Sequence, residues 1–224
     1  MLEMARAVGA PLLLACSSTS THATQDLDAL ARDLRKLAML AVPMGIRIAY
    51  EGLSWGRTIN EFTTAWEVVS RADAPNLGLG HRTRFTSSRA KTPLAELDTL
   101  DASKIFLVQL ADFMWQEART FEERLATARH FRVFPGEGVH SAQVAELVTR
   151  LDALGYRGDY SFEVFNDDYQ QIPLAAVAER ARRSALWLGE EVLRRSVPLP
   201  GAMRLRRAAQ RPPWSHTLEQ DPRS

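Results

Sequence analysis

Gly45-Ile46-Arg47-Ile48-Ala49-Tyr50-Glu51-Gly52-Leu53-Ser54-Trp55-Gly56-Arg57 carries the pattern on which the fold turns. Ile46, Ile48 and Tyr50 alternate with Arg47 and Ala49, the two-residue period of a strand. The strand ends on a carboxylate, Glu51, and small and polar residues lead from it into a helical pattern. Ligands of α/β proteins sit at the carboxyl ends of parallel strands. A glutamate there is a candidate metal ligand or base, or else a solvated strand end. The pattern recurs twice. Lys104–Asp112 (KIFLVQLAD) is a strand ending on Gln109 and Asp112. Tyr160–Asp168 (YSFEVFNDD) carries Glu163 and then Asn166, Asp167 and Asp168.

Around these strands the spacing becomes helical. Residues 1–10 read as the end of a helix closed by Gly9, and 12–16 as a short apolar strand. Leu27, Leu30, Leu34, Leu37 and Leu40 predict a helix over 26–40. Asn60 is placed to cap a helix over 61–71, with Phe62, Trp66 and Val69 facing inward. Residues 76–80 read as the next strand and 93–100 as a short helix. A charged helix follows over 117–130, then a short strand at 131–134 and a glycine-rich turn. Val144, Leu147, Leu151 and Leu154 mark one face of a helix over 140–154. Pro173 opens a long helix to about residue 195. The proline- and arginine-bearing stretch 196–224 reads as a disordered tail.

This alternation is the grammar of a parallel sheet with helical crossovers, with residues 1–195 as one domain. About six strands can be counted. A closed (β/α)₈ TIM-type barrel needs eight, usually in about 250 residues. The expectation is therefore an incomplete α/β barrel with an open edge at strand 12–16, or closure by a second copy, making a homo-oligomer.

A net charge of +1 over 224 residues argues against a nucleic-acid partner. The single cysteine, Cys16, excludes an intrachain disulfide and a cysteine-rich zinc site. Leu12–Cys16 is too short to span a membrane, so the reading is a cytoplasmic protein with no membrane partner. No glycine-rich phosphate loop of the dinucleotide or P-loop type follows any strand.

Glu51, Gln109 and Glu163 end three different strands. If those strands are neighbours, three oxygen donors converge at one mouth, a set that suits a hard divalent cation such as Mg²⁺ or Mn²⁺. Arg57, Arg129, His130 and Arg132 form a second constellation, suited to recognising a carboxylate. Arg132, beside a strand and a glycine turn, is the member expected to face a site. Trp55, Phe113 and Trp115 could wall a pocket.

Four motifs carry a resemblance: Tyr50–Arg57, Val108–Asp112, Arg129–Arg132 with Pro135-Gly136-Glu137-Gly138, and Phe162–Asp167. Over about residues 1–190 the chain resembles the xylose-isomerase-like barrel family of sugar-phosphate isomerases and epimerases, and most narrowly the bacterial 3-dehydroshikimate dehydratases. The resemblance implies a divalent metal (Mg²⁺, Mn²⁺ or Co²⁺) on Glu51, Gln109 and Glu163, and a substrate carboxylate on Arg132. It implies a catalytic neighbourhood that includes His130 and Arg57. The substrate would be a small molecule, 3-dehydroshikimate converted to protocatechuate in quinate/shikimate catabolism, or a sugar-like hydroxy ketone isomerised on the same barrel. A third reading is a non-catalytic remnant.

The chain departs from that pattern. The family's fourth ligand, an aspartate in an aspartate-serine-phenylalanine-histidine run, is replaced by Arg82-Thr83-Arg84-Phe85. A family serine is replaced by Ala128, and the family's first strand-helix units are missing, so the chain reads as truncated at its start. Residues 82–89 admit the codons CGG ACT CGT TTC ACA TCC TCT CGC. Read from the last base of the first codon, these encode aspartate-serine-phenylalanine-histidine-isoleucine-leucine-serine. The expectation is a frame-shifted segment that costs the site its fourth ligand and its histidine and leaves little or no dehydratase activity.

Overall fold

The computed structural model describes residues 1–83, 94–115 and 120–196. Five parallel strands form one sheet in the order β1 (Leu12–Cys16), β2 (Arg47–Glu51), β3 (Leu77–Arg82), β4 (Ile105–Leu110), then β7 (Tyr160–Phe162). The two intervening strands, β5 (Asp112–Phe113) and β6 (Arg132–Val133), pair antiparallel with each other in a separate ribbon. The apolar run at 131–134 is therefore not a sixth barrel strand. β1 and β7 lie at the two edges, so the sheet is open among the described residues, as its strand count led us to expect.

The helices are α1 (Leu2–Ala7), α2 (Leu27–Ala41), α3 (Phe62–Ala72), α4 (Phe121–His130), α5 (Ser141–Leu154) and α6 (Leu174–Leu186), the last continuing as a π-helix over Trp187–Val192. Asp26 caps α2 by accepting from the Asp28 and Ala29 N–H groups. The buried stripe of α2 is Ala31, Ala38 and Ala41, with Leu27, Leu30, Leu34 and Leu37 half-buried against the core, while Leu40 is exposed. The α3 cap is Glu61 rather than Asn60, and no side chain caps that helix. Thr120 and Glu123 form a reciprocal capping box that fixes the start of α4. The stretch 94–99 is a 3₁₀ rather than an α-helix. Residues 116–119 of the expected 117–130 helix, residues 84–93 and the tail from 197 onward lie outside the described residues.

Strand alternation divides the sheet into two faces. Ile48, Tyr50, Leu77, Leu79, Val108 and Leu110 join the buried cluster that also holds Val68 and Val69 of α3 and Val144, Leu147 and Leu151 of α5. The opposite face carries Ala49 and Gly80 at its centre, with Leu14 packed beside them. A Cβ on Gly80 would meet Leu14, Ala49 and the Glu51 Cβ, so these four positions share that face. Side chains two residues further along, at the carboxyl ends, project from the same face.

Candidate functional site

The register now fixes which side chains meet. Cys16 is opposite Glu51, Arg82 opposite Gln109, and Gln109 opposite Ser161. Residues paired across parallel strands point the same way, and Glu163 lies two positions beyond Ser161. Glu51, Arg82, Gln109 and Glu163 thus stand on one face at the carboxyl ends of four adjacent strands, β2, β3, β4 and β7.

Arg82 occupies the middle of this row. Its Nε lies 2.9 Å from Glu51 Oε1, and Nη2 donates to Glu51 Oε2 at 3.2 Å. The same Nη2 reaches Glu163 at 2.9 Å (Oε1) and 2.8 Å (Oε2). The Arg82 side chain is 11% exposed and that of Glu51 only 1%, so water competes little for these contacts. Gln109 is buried in the central strand.

Arg132 completes the cluster from behind. Its Nη1 donates to the Glu163 carboxylate (Oε2, 2.6 Å) and to the Glu163 carbonyl (2.9 Å), and its Nε to the Ala128 carbonyl (2.6 Å). Arg132 is buried, and its guanidinium lies 5.1 Å from the Phe165 ring centroid. Burial, and then the neighbouring Arg82 charge, lower its pKa from the ordinary arginine value. The residue expected to meet a substrate carboxylate thus spends two of its three nitrogens on the protein itself. Among the described residues, two glutamates and two arginines leave the cluster with no net charge.

The remaining candidates sit on the rim. His130 is exposed, with Nδ1 3.1 Å from Asp167 Oδ2. Arg57 is exposed on the loop after β2, where its N–H donates to the Ser18 carbonyl at 2.9 Å. Neither is drawn into the Glu51–Arg82–Glu163 cluster. Arg129 lies 6.0 Å from the Trp55 ring centroid, and Trp115 meets Phe131 edge to face. Phe113, the third aromatic candidate, is buried. A cleft of 480 Å³ lined by Glu137, Arg180 and Trp187 shares no residue with the cluster.

Two residues carry more structure than their sequence context suggested. Asp112 is fully buried and accepts four hydrogen bonds, from the Phe113, His140 and Gly138 N–H groups and from Ser141 Oγ. With its oxygens so engaged, it braces the loop after β6 and the start of α5. Thr83 is buried, and its hydroxyl both donates to the Ala111 carbonyl and accepts from the Ala111 N–H, each at 2.8 Å. It ties the end of β3 to β4. The signal for Asp112 was an aspartate after an apolar strand, with a glycine turn and a helix-starting serine further on.

Cys16 ends the edge strand with its Sγ 3.9 Å from Glu51 Oε2. Cys16 is exposed as a residue, but desolvation of its thiol, and then the Glu51 charge, push that thiol up to about 11. We therefore expect Cys16 to react with a disulfide reagent at pH 8 about 100-fold more slowly than a free cysteine, because its thiolate fraction falls tenfold per unit. A stopped-flow thiol assay checks this; a rate equal to that of free cysteine contradicts it. The sign for stability follows. The folded thiol holds its proton more tightly than the unfolded one, so stability falls as pH rises from the ordinary thiol range toward about 11.

The donor set can be tested against a divalent metal. Such an ion needs carboxylate lone pairs and an excess of negative charge. Here Arg82 pairs with both Glu51 and Glu163, and among the described residues the charges of the cluster cancel. Among the described residues no three His, Cys, Asp or Glu side chains are grouped to hold a metal ion. The residues as they stand do not fit one.

Comparison with known proteins agrees on the lineage. The chain is 40% identical to the 3-dehydroshikimate dehydratase of Pseudomonas aeruginosa over 88% of its own length and 30% of that protein's. It is 36% identical to the Pseudomonas putida enzyme of the same name over 84% of its length and 29% of the enzyme's. It thus spans under a third of these relatives. An inosose isomerase of Halalkalibacterium halodurans is 26% identical over 83% of this chain and 62% of that protein. A solved xylose isomerase-like TIM barrel/4-hydroxyphenylpyruvate dioxygenase fusion protein superposes with a TM-score of 0.77 at 33% identity, over 93% of this chain and 31% of the fusion protein. The structure of the IOLI protein, which holds a zinc atom, superposes at 0.72 with 21% identity, over 86% of this chain and 67% of that chain. No helix among the described residues is long and apolar enough to cross a membrane. The model of the xylose isomerase-like TIM barrel family matches residues 1–190, and the chain belongs to that family.

Proposed function

We propose that this chain is the ligand-bearing part of a lyase of the 3-dehydroshikimate dehydratase type, halted by the residue at position 82. The observation that carries this reading is the row Glu51, Arg82, Gln109 and Glu163 at the ends of four adjacent strands. Three of the four are oxygen donors suited to a divalent cation such as Mg²⁺, Mn²⁺ or Co²⁺, and the fourth is an arginine. The dehydratases at 40% and 36% identity favour dehydration over isomerisation, whose relative stands at 26%. The ligand class is a small hydroxylated keto acid. Its carboxylate has the remaining Arg132 nitrogen and the rim cations Arg57 and Arg129 as partners, and His130 is the rim group able to carry a proton. Near-zero net charge supports the absence of a nucleic-acid partner.

The test replaces the departing run in the full chain by Arg82→Asp, Thr83→Ser, Arg84→Phe and Phe85→His, then supplies Mn²⁺ and 3-dehydroshikimate. Thr83→Ser keeps the hydroxyl that braces Ala111. Protocatechuate, followed by its near-ultraviolet absorbance, should form about 100-fold faster or more than with the unaltered chain, the scale of restoring acid–base and electrostatic stabilisation. An isomerised, non-aromatic product would move the chain to the isomerase class. No turnover by the replaced chain, or full activity of the unaltered one, would overturn the reading.

A further inference from the structure

We propose that the Arg82 guanidinium is the resident cation of this site and that it excludes a divalent metal from Glu51 and Glu163. The inference rests on the ligand assignment above but not on any turnover. Three observations support it. Position 82 falls in the row of strand-end residues, in register with Gln109 and between the strands that carry Glu51 and Glu163. Its guanidinium touches both carboxylates, at 2.9 Å and 2.8 Å, and so lies where a bridging cation would be held. The surroundings seat it firmly. Glu51 is buried beneath it, Arg132 fixes Glu163 from the far side, and the Leu14 side chain packs against the Gly80 backbone below.

A metal entering this site would have to displace a cation tethered to the chain at very high effective concentration. Expelling Arg82 would also leave a positive group close to a divalent ion in a partly desolvated pocket, where like charges repel far more than in water. Both effects act in one direction. The site is therefore self-neutralised, and a single substitution should convert it into a metal site: Arg82→Asp removes the tethered cation and adds a fourth oxygen donor beside Gln109.

Mn²⁺ binding is read directly, by loss of the free hexaaqua-ion signal in electron paramagnetic resonance, with thermal unfolding in parallel. The unaltered chain should show no saturable site and no shift of its unfolding midpoint with Mn²⁺ or a chelator. Arg82→Asp should bind one Mn²⁺ per chain about 100-fold more tightly or better, with a raised midpoint by mass action. Adding Glu163→Gln to that variant should abolish the site. Arg82→Met, which removes the charge without adding a ligand, should give intermediate binding and serves if the aspartate variant does not fold. Stoichiometric Mn²⁺ binding by the unaltered chain, lost in Glu51→Gln, would overturn the proposal. So would folded Arg82→Asp and Arg82→Met proteins that bind no more Mn²⁺ than the unaltered chain. Neither readout involves 3-dehydroshikimate, so a wrong substrate and a wrong resident cation give different results.

Discussion

Arg132→Met should destabilise the chain by about 3–5 kcal/mol, the range for breaking one side of a buried, hydrogen-bonded ion pair. Arg132 is among the largest fully buried side chains, and its donors go to three acceptors on two segments: the Ala128 carbonyl at the end of α4, and the carbonyl and carboxylate of Glu163 after β7. Methionine fills much of the volume but supplies no donor. The Ala128 and Glu163 carbonyls then lose these donors, and among the described residues the Glu163 carboxylate keeps only Arg82. Lysine in the same place should recover only part of the loss, because a point charge cannot reproduce the planar fork. The double variant Arg132→Met with Glu163→Gln should be more stable than Arg132→Met alone, since it removes the under-compensated carboxylate. Chemical denaturation followed by circular dichroism gives all three values. A loss under about 1 kcal/mol would mean that the pair behaves as a solvent-exposed one.

The same arginine shows where sequence reading reaches its limit. The parallel strands were legible because each is a short apolar run bounded by turn residues and followed by a helical period. Such signals are local. The direction of the 131–134 strand was not, because it depends on pairing with Asp112–Phe113, about twenty residues away. Asn60 resembles a cap in sequence, yet its side chain turns back toward the Gly56 carbonyl while α3 starts at Phe62. Glu51, Gln109 and Glu163 could be singled out as strand-end oxygens. That two of them share one guanidinium required the register of four strands. Arg132 was placed correctly beside its glycine turn. Its orientation depends on the Glu163 backbone, which no spacing reports. His130 and Arg129 are neighbours of Arg132 in sequence, but the end of α4 turns them outward, so proximity along the chain did not become proximity at the cluster.

Asp112→Ala should cost about 3–5 kcal/mol, comparable with the loss at Arg132 although no ion pair is involved. The carboxylate has no exposed surface and accepts from three backbone N–H groups and one hydroxyl: Phe113 at 2.7 Å, His140 at 3.0 Å, Gly138 at 3.2 Å and Ser141 at 2.7 Å. Each buried donor left unsatisfied costs about 1–3 kcal/mol, partly relieved where water enters. The carboxylate also stands at the amino end of α5, where the helix dipole favours negative charge. Asp112→Asn should lose less, about 2 kcal/mol, because the amide oxygen still accepts while its nitrogen faces donors. Gly138 gives an independent check on the same geometry. A Cβ there would lie 2.3 Å from Asp112 Oδ1 and 2.4 Å from the Phe113 carbonyl, so Gly138→Ala forces the loop away from the carboxylate. If the four bonds act as one brace, the Gly138→Ala and Asp112→Ala losses should be strongly non-additive in the double variant. Additive losses would show that loop and carboxylate act separately. The functional consequence runs through β4. Asp112 follows the strand that carries Gln109, and the loop it secures leads back to β6 and Arg132. Loosening the brace should therefore also weaken the Mn²⁺ site created by Arg82→Asp, although Asp112 donates nothing to that ion.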